Sequence, residues 1–158
     1  MRIGIGYDIH RLTKSRRLVL GGINVPAEKG LLGHSDADVL LHAVIDALLG
    51  AAGLGDIGDH FPDTDKRCKD ISSSVLLAKI VKLIVQKGFS VINIDAIIIL
   101  QKPKLGVLKQ KMVKNIAAIL NIPKNRVNVK AKTNEGLDST GRGEAIAAYA
   151  VASLHERT

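Results

Sequence analysis

The chain has no tryptophan, two tyrosines, two phenylalanines, four prolines and one cysteine in 158 residues. So few aromatic rings leave no stacking platforms for single-stranded nucleic acid, although a net charge of +8 alone would suit such a ligand. With one cysteine there is no disulfide framework, and a reducing compartment is expected. That residue, Cys68, stands in a Lys/Arg-rich segment with no motif around it and reads as an inert thiol. No stretch approaches ~18 uninterrupted apolar residues, and the chain opens in a strand pattern rather than a charged leader and apolar run. A soluble, untargeted, cytoplasmic protein is expected, with neither nucleic acid nor membrane as partner.

Acids are also missing from one part of the chain. Between Ala96 and Asn134 there is none, against nine Lys and Arg, whereas His34 to Asp70 holds eight of the fifteen acids. A basic stretch beside an acidic, histidine-bearing one suits a metal and a phosphorylated small molecule. The length is that of one ordinary domain, residues 1–158, able to bury roughly 70% of the surface of the unfolded chain.

Periodicity predicts a strand over 2–9, a hairpin over 17–26 turning at "GGIN", and a helix over 36–52. Residues 53–70 read as a loop. "SSSVLLAKIVKLIVQKG" has a serine cap and a closing glycine and predicts a helix over 74–87. A strand over 90–100, a helix over 105–121, a strand over 126–133 and an alanine-rich final helix over 142–155 complete the map. The fold class expected is α/β (α+β), one mixed β-sheet with helices packed on one face. The final helix and the apolar strand 97–100 are expected to line a buried subunit contact.

Three stretches carry chemistry. In "GYDIHRL", Asp8 and His10 stand two residues apart, on one face of a strand. In "GHSDADVLLHAVIDALLGA", Asp38, His42 and Asp46 recur every fourth residue along one helix face. Ser35 and Asp38 also match a capping box, and a lone helical histidine reads as well as a structural group. Joined to Asp8 and His10, however, His42 completes a set of three N/O ligands with a fourth position open, the pattern of a catalytic zinc site, with Asp46 placed to orient the imidazole. "GDIGDHFPDTD" reads either as a solvated turn or as a substrate loop in which Asp56 accepts from hydroxyls. In "KAKTNEGLDSTGRGEA", Thr133 and Glu135 end a strand, and Arg142 at a predicted helix start suits an anion, while Glu144 reads equally as a first-turn acid.

These stretches, with "QKPKL", resemble in order and over essentially the whole chain the 2-C-methyl-D-erythritol 2,4-cyclodiphosphate synthase family. The resemblance implies a chorismate-mutase-like homotrimer with active sites between subunits. It implies that Asp8, His10 and His42 bind zinc, that Asp8 and His10 also touch substrate, and that His34 and Thr133 stabilise the transition state with Ser35 beside the phosphate. Asp56, Ile57, Gly58, Phe61, Pro62, Asp63, Thr64 and Asp65 match the methylerythritol and phosphate loops. Leu100, Gln101, Lys102, Pro103, Lys104, Leu105 and Gly106 match a cytosine pocket lent by the neighbouring subunit. Lys132, Thr133, Asn134 and Glu135 match the diphosphate segment, with Glu135 helping to hold a second divalent cation, magnesium or manganese. Arg142 matches an anion position near the trimer axis. Tyr7 and Ser139, the latter in the substrate set, replace frequent phenylalanines.

From the residues alone, a 2-His-1-carboxylate iron oxygenase would use a similar triad, though normally on a β-barrel, and a non-enzymatic trimeric effector-binding protein would share the fold.

Overall fold

The structure is a computed structural model that describes residues 1–62, 64 and 70–157. Asp63, Asp65 and Cys68 lie outside the described residues.

Alternating small and large residues set the frame. β1 (Arg2–Thr13) places Gly4 and Gly6 on one face and Ile3, Ile5, Tyr7 and Ile9 on the other. Helix α1 (Val39–Ala52) is apolar nearly all round, and it is buried nearly all round. It crosses β1 at the two glycines: a Cβ at Gly4 would lie 2.1 Å from the Ala47 carbonyl oxygen, and one at Gly6 2.0 Å from that of Ala43. No residue with a side chain fits at either position without pushing helix from strand.

The same close approach explains the largest departure from the sequence expectation. The alanine-rich C-terminal segment is not a helix over 142–155 but a strand, β7 (Ala145–Glu156), paired antiparallel with β1. Its Ala150 and Ala152 lie opposite Gly6 and Gly4 and are buried on the face that α1 covers. Alanine's helix propensity amounts to only a few tenths of a kcal/mol per residue over its competitors. Here a floor of small side chains lets α1 settle onto the sheet, and that packing decides the conformation.

Between these strands lie β2 (Leu18–Leu20) and β3 (Ile23–Val25), the expected hairpin, with Gly21 and Gly22 both at positive φ in its turn. β4 (Gly30–Leu31) pairs with the end of β1. The segment expected as loop contains a one-turn helix, α2 (Ile57–His60), and is followed by α3 (Ser73–Gln86). β5 (Phe89–Ile99), α4 (Leu108–Leu120), a 3-10 turn at Lys124–Arg126, β6 (Val127–Lys132) and the short α5 (Asp138–Gly141) follow. The five-stranded sheet has the order β4-β1-β7-β5-β6, antiparallel except for the parallel pair β5 and β6. The buried residues of the hairpin, α1, α3, α4 and the sheet form one continuous apolar cluster.

The face of the sheet away from α1 is apolar across β1 and β7 and, among the described residues, uncovered, with the exposed Asp95–Lys130 pair toward its β5–β6 edge. Ile3 is 65% and Ile5 70% exposed, and Tyr7 stacks on Tyr149 across the β1–β7 pair with ring centroids 4.6 Å apart. The apolar face expected from a final helix thus comes from β1 and β7, continued by Ile97 of β5 opposite Tyr149. An exposed apolar surface of this kind marks an interaction face.

Candidate active site

Three ligand atoms converge where β1 leaves the glycines behind. Asp8 and His10 follow Gly6 at two-residue intervals, so both side chains project on the α1 side, and His42 comes up from the first turn of α1. Asp8 Oδ2 lies 2.8 Å from His42 Nδ1 and 2.9 Å from His10 Nε2, and the two ring nitrogens are 3.2 Å apart. One donor atom from each of Asp8, His10 and His42 lies within 4.8 Å of the other two. Burial raises the Asp8 carboxyl, but hydrogen bonds and charge attraction from His10 and His42 outweigh it and hold the group well below the ordinary carboxylate range.

The donor set fits a divalent metal ion. The far nitrogen of each ring is engaged elsewhere: His10 Nδ1 lies 2.9 Å from the Leu32 carbonyl oxygen, which can only accept, so Nδ1 carries a proton and a neutral His10 ring would offer Nε2 to a metal in place of its contact with Asp8. His42 Nε2 lies 2.9 Å from Ser73 Oγ and 3.2 Å from Ser35 Oγ. Asp46, expected to orient His42, instead accepts the Ile57 amide at 2.8 Å and so anchors α2. Burial, the largest influence on it, raises the Asp46 carboxyl. Nor do Ser35 and Asp38 form a capping box: Asp38 itself is the N-cap, accepting from Leu41 N and from the amides of Gly21 and Gly22, and so locks the hairpin turn to the start of α1.

The triad lines a cavity of about 470 Å³, shared with His34, Ser35, Ile57, Gly58, Phe61 and Pro62. Of the acidic loop, Ile57, Gly58, Phe61 and Pro62 thus line this cavity. Asp56 caps α2 in a reciprocal capping box with Asp59, and His60 Nε2 reaches the Leu54 carbonyl at 2.8 Å. Asp56 and Thr64 are exposed, and Asp56 Oδ1 accepts the Asp59 amide. Arg16, missed in the sequence, donates to the Ser35 carbonyl oxygen and pairs with Asp70, whose amide donates to the His34 carbonyl, so the His34–Ser35 segment is held from outside.

A second cavity, of about 200 Å³, shares no lining residue with the first among the described residues. It is lined by Leu100, Gln101, Pro103, Lys104, Leu105 and Gly106 from the segment between β5 and α4, and by Ala131, Lys132 and Thr133 from the end of β6. The parallel pairing that sets Ile99 beside Lys132 brings these two segments together. Lys102 is exposed and does not line it, whereas Lys109 of α4, one turn beyond the loop, does. Gln101 Oε1 is buried there without a hydrogen-bond partner among the described residues.

Thr133 donates to Glu135 Oε1 at 2.8 Å, so the two expected active-site groups touch each other. Glu135 stands at φ +50°, in the turn after β6, and Asn134 donates to Asp138. Ser139 is half-buried in α5. Arg142 does not start a helix: α5 ends at Gly141, a strand follows, and the guanidinium is paired in two bonds with Glu144. Its expected anion site at a helix N-terminus is therefore not formed. The amides of Gly141, Arg142, Gly143 and Glu144 instead donate to the carbonyls of Leu137, Asp138, Thr140 and Ser139 as the chain turns into β7.

Comparison with known proteins agrees with this geometry. A model of the YgbB family matches residues 1–155. The 2-C-methyl-D-erythritol 2,4-cyclodiphosphate synthase of Desulfosudis oleivorans is 64% identical over 156 residues, spanning 99% of this chain and 93% of its own. A solved 2C-methyl-D-erythritol-2,4-cyclodiphosphate synthase in a CDP-bound form matches at a TM-score of 0.90 and 39% identity over 98% of this chain and 100% of that one. The bifunctional IspDF of Campylobacter jejuni matches at a TM-score of 0.94 and 43% identity, with 98% of this chain corresponding to 42% of that longer one. A family model that spans nearly the whole chain, and a relative 64% identical over 99% of it, place the chain in the YgbB family.

Proposed function

We propose that this chain is a 2-C-methyl-D-erythritol 2,4-cyclodiphosphate synthase, a phosphorus–oxygen lyase of the non-mevalonate isoprenoid pathway, acting in the cytoplasm. Its substrate is 4-diphosphocytidyl-2-C-methyl-D-erythritol 2-phosphate. An oxygen of the 2-phosphate attacks the β-phosphorus and forms the new P–O bond. The bond from that phosphorus to the bridging oxygen breaks, its electron pair leaves with CMP, and the eight-membered cyclodiphosphate closes.

Both reacting groups are anions, and two unit charges at about 4 Å repel by roughly 4 kcal/mol at an effective dielectric near 20. The triad Asp8, His10 and His42 would hold zinc, and Glu135 would help hold magnesium or manganese. Bound there, such cations supply charge neutralisation and Lewis-acid polarisation of phosphoryl oxygens. The residues of the chain position the rest. His34 and Ser35 line the cavity beside the triad and suit the phosphate that attacks. Ile57 and Gly58 lie where α2 is anchored by Asp46, giving the methylerythritol a fixed wall, with Asp56, Thr64 and the neighbouring Asp63 and Asp65 assigned to the same loop. Lys132, Thr133 and Asn134 suit the diphosphate, Lys104 and the loop backbone suit the cytosine, and Ser139 and Arg142 complete the substrate set. No general base is required, because the attacking phosphate is already ionised and the work is orientation and electrostatics.

The observation that carries this reading is the separation of the two cavities. His34 and the triad line one, Thr133 and Lys104 the other, yet the substrate joins their two ligands through one diphosphate. A chorismate-mutase-like homotrimer, in which each subunit's second cavity completes its neighbour's first, reconciles the two, and the open apolar sheet face supplies a surface to bury. An iron oxygenase or an effector-binding protein gives no reason for two half-sites that one ligand must span.

Mixing two inactive variants tests the shared site. His42→Ala disables one half and Thr133→Val the other, so each homotrimer should be inactive, while mixed trimers should release CMP because some interfaces pair two intact halves. Mixtures that exchange subunits but stay as inactive as their parents would contradict a site built across the interface.

A further inference from the structure

Ser73 is the first residue of α3, it is wholly buried, and in sequence it reads only as part of a helix cap. Its hydroxyl lies between two charged or polarisable groups. Ser73 Oγ donates to Asp36 Oδ1, and Asp36 Oδ2 also accepts the Ser73 amide at 3.0 Å. On its other side Ser73 Oγ is 2.9 Å from His42 Nε2.

We propose that Ser73 and Asp36 are positioning residues for the metal centre, forming a carboxylate–hydroxyl–imidazole relay that aims the Nδ1 lone pair of His42 at the point shared with Asp8 and His10. A hydroxyl has one proton. Given to Asp36, it leaves only lone pairs toward His42, so Nε2 carries a ring hydrogen and donates it, and a neutral ring would offer Nδ1 to a metal in place of its contact with Asp8. The carboxylate behind the hydroxyl strengthens that acceptor and makes the imidazole a better ligand. Ser35 Oγ contributes at the longer distance of 3.2 Å and is itself bound by the Ala37 amide, and Asp46 is committed to Ile57. Asp36 has the reach to act as a fixed post: it also accepts the Asp38 amide at 3.3 Å, and its own amide donates to the Ile71 carbonyl. The relay thus ties the first turns of α1 and α3 to one ring. Ala37, between the two aspartates, takes φ +56°, which turns both carboxylates toward their separate partners.

The relay rests on the reading that Asp8, His10 and His42 hold a metal, and the two can fail separately. Zinc affinity, measured by chelator competition, and the visible spectrum of the cobalt-substituted protein should be compared for the parent chain, Ser73→Ala and Asp36→Asn. Ser73→Ala is expected to weaken zinc binding ~10–100-fold and to shift the cobalt bands, with Asp36→Asn changing both in the same direction. A residue that only capped α3 would lower the melting temperature and leave affinity and spectrum alone. Parent-like zinc affinity in folded Ser73→Ala overturns the relay while the metal reading stands, and a parent chain that binds no zinc overturns both. Should Ser73→Ala not fold, Asp36→Asn decides by the same two readouts: weakened binding supports the relay and unchanged binding overturns it.

Discussion

Gly6 faces the Ala43 carbonyl so closely that a methyl group added to it would lie 2.0 Å from that oxygen. The contact matters because Asp8 and His10 continue the same strand and His42 precedes Ala43 on the helix, so the strand–helix spacing is also the spacing of the triad. Gly6→Ala should therefore destabilise the fold by at least ~1–3 kcal/mol and weaken metal binding with it. Gly50, whose added Cβ would meet nothing closer than 3.8 Å, is the contrast: in the body of α1, Gly50→Ala should stabilise by ~0.5–1 kcal/mol. Chemical denaturation of both variants, with zinc titration of the apo proteins, checks the pair.

Asp38 predicts a pH dependence of stability. It is completely buried, and burial pushes its carboxyl from 3.8 up to about 6 against the lowering effect of the Gly22, Gly21 and Leu41 amides. Between those values the folded chain holds a proton that the unfolded chain has released, so stability falls as pH rises. The contribution is complete below pH 3.8, is lost through about pH 6, and is flat above that. Asp38→Asn cannot titrate. The unfolding free energy of the parent relative to this variant should drop by on the order of 2–3 kcal/mol from pH 4 to pH 7 and then level off. A difference that rises over that interval would mean the amides, rather than burial, dominate the carboxylate.

The second cavity separates a nucleotide-binding loop from a run of solvated lysines. Lys104→Ala should weaken CMP binding ~10-fold, the scale of one charge-assisted hydrogen bond, and leave zinc content unchanged. Lys109 would be expected from its place in the helix to be a silent control, but it lines the same cavity and should share the effect. Lys114, exposed on α4, is the appropriate control. Calorimetric titration with CMP checks all three, and equal small effects at Lys104 and Lys114 would remove the cytosine assignment from this loop.

Much of the site was legible in the sequence because its ligands are set by short-range periods. Two residues on a strand and four on a helix keep Asp8 with His10 and place His42 on the buried face, whatever the rest of the chain does. The hairpin at Gly21–Gly22 was legible for the same local reason. What failed depended on distant partners. "AIAAYAVASLHE" reads as a helix by its alanine content, and only the two glycines opposite it, some 145 residues earlier, make small residues a strand requirement. The alternation of alanine with Tyr149, Val151 and Ser153 was the signal available. Once that segment is a strand, Arg142 loses its helix N-terminus. Ser73 gave no signal, since its meaning lies in a histidine 31 residues away. Asp46 was misassigned because helical spacing shows which side chains share a face, not which amide one of them will meet.

Ring closure can be followed by phosphorus NMR of the purified chain with 4-diphosphocytidyl-2-C-methyl-D-erythritol 2-phosphate, zinc and magnesium. The substrate's phosphomonoester and diphosphate resonances should disappear together, replaced by CMP and by two coupled resonances of a cyclic diphosphate, and His42→Ala should leave the substrate unchanged. Substrate resonances that persist with the metal-loaded parent chain, or CMP appearing beside an open-chain bisphosphate, would contradict it.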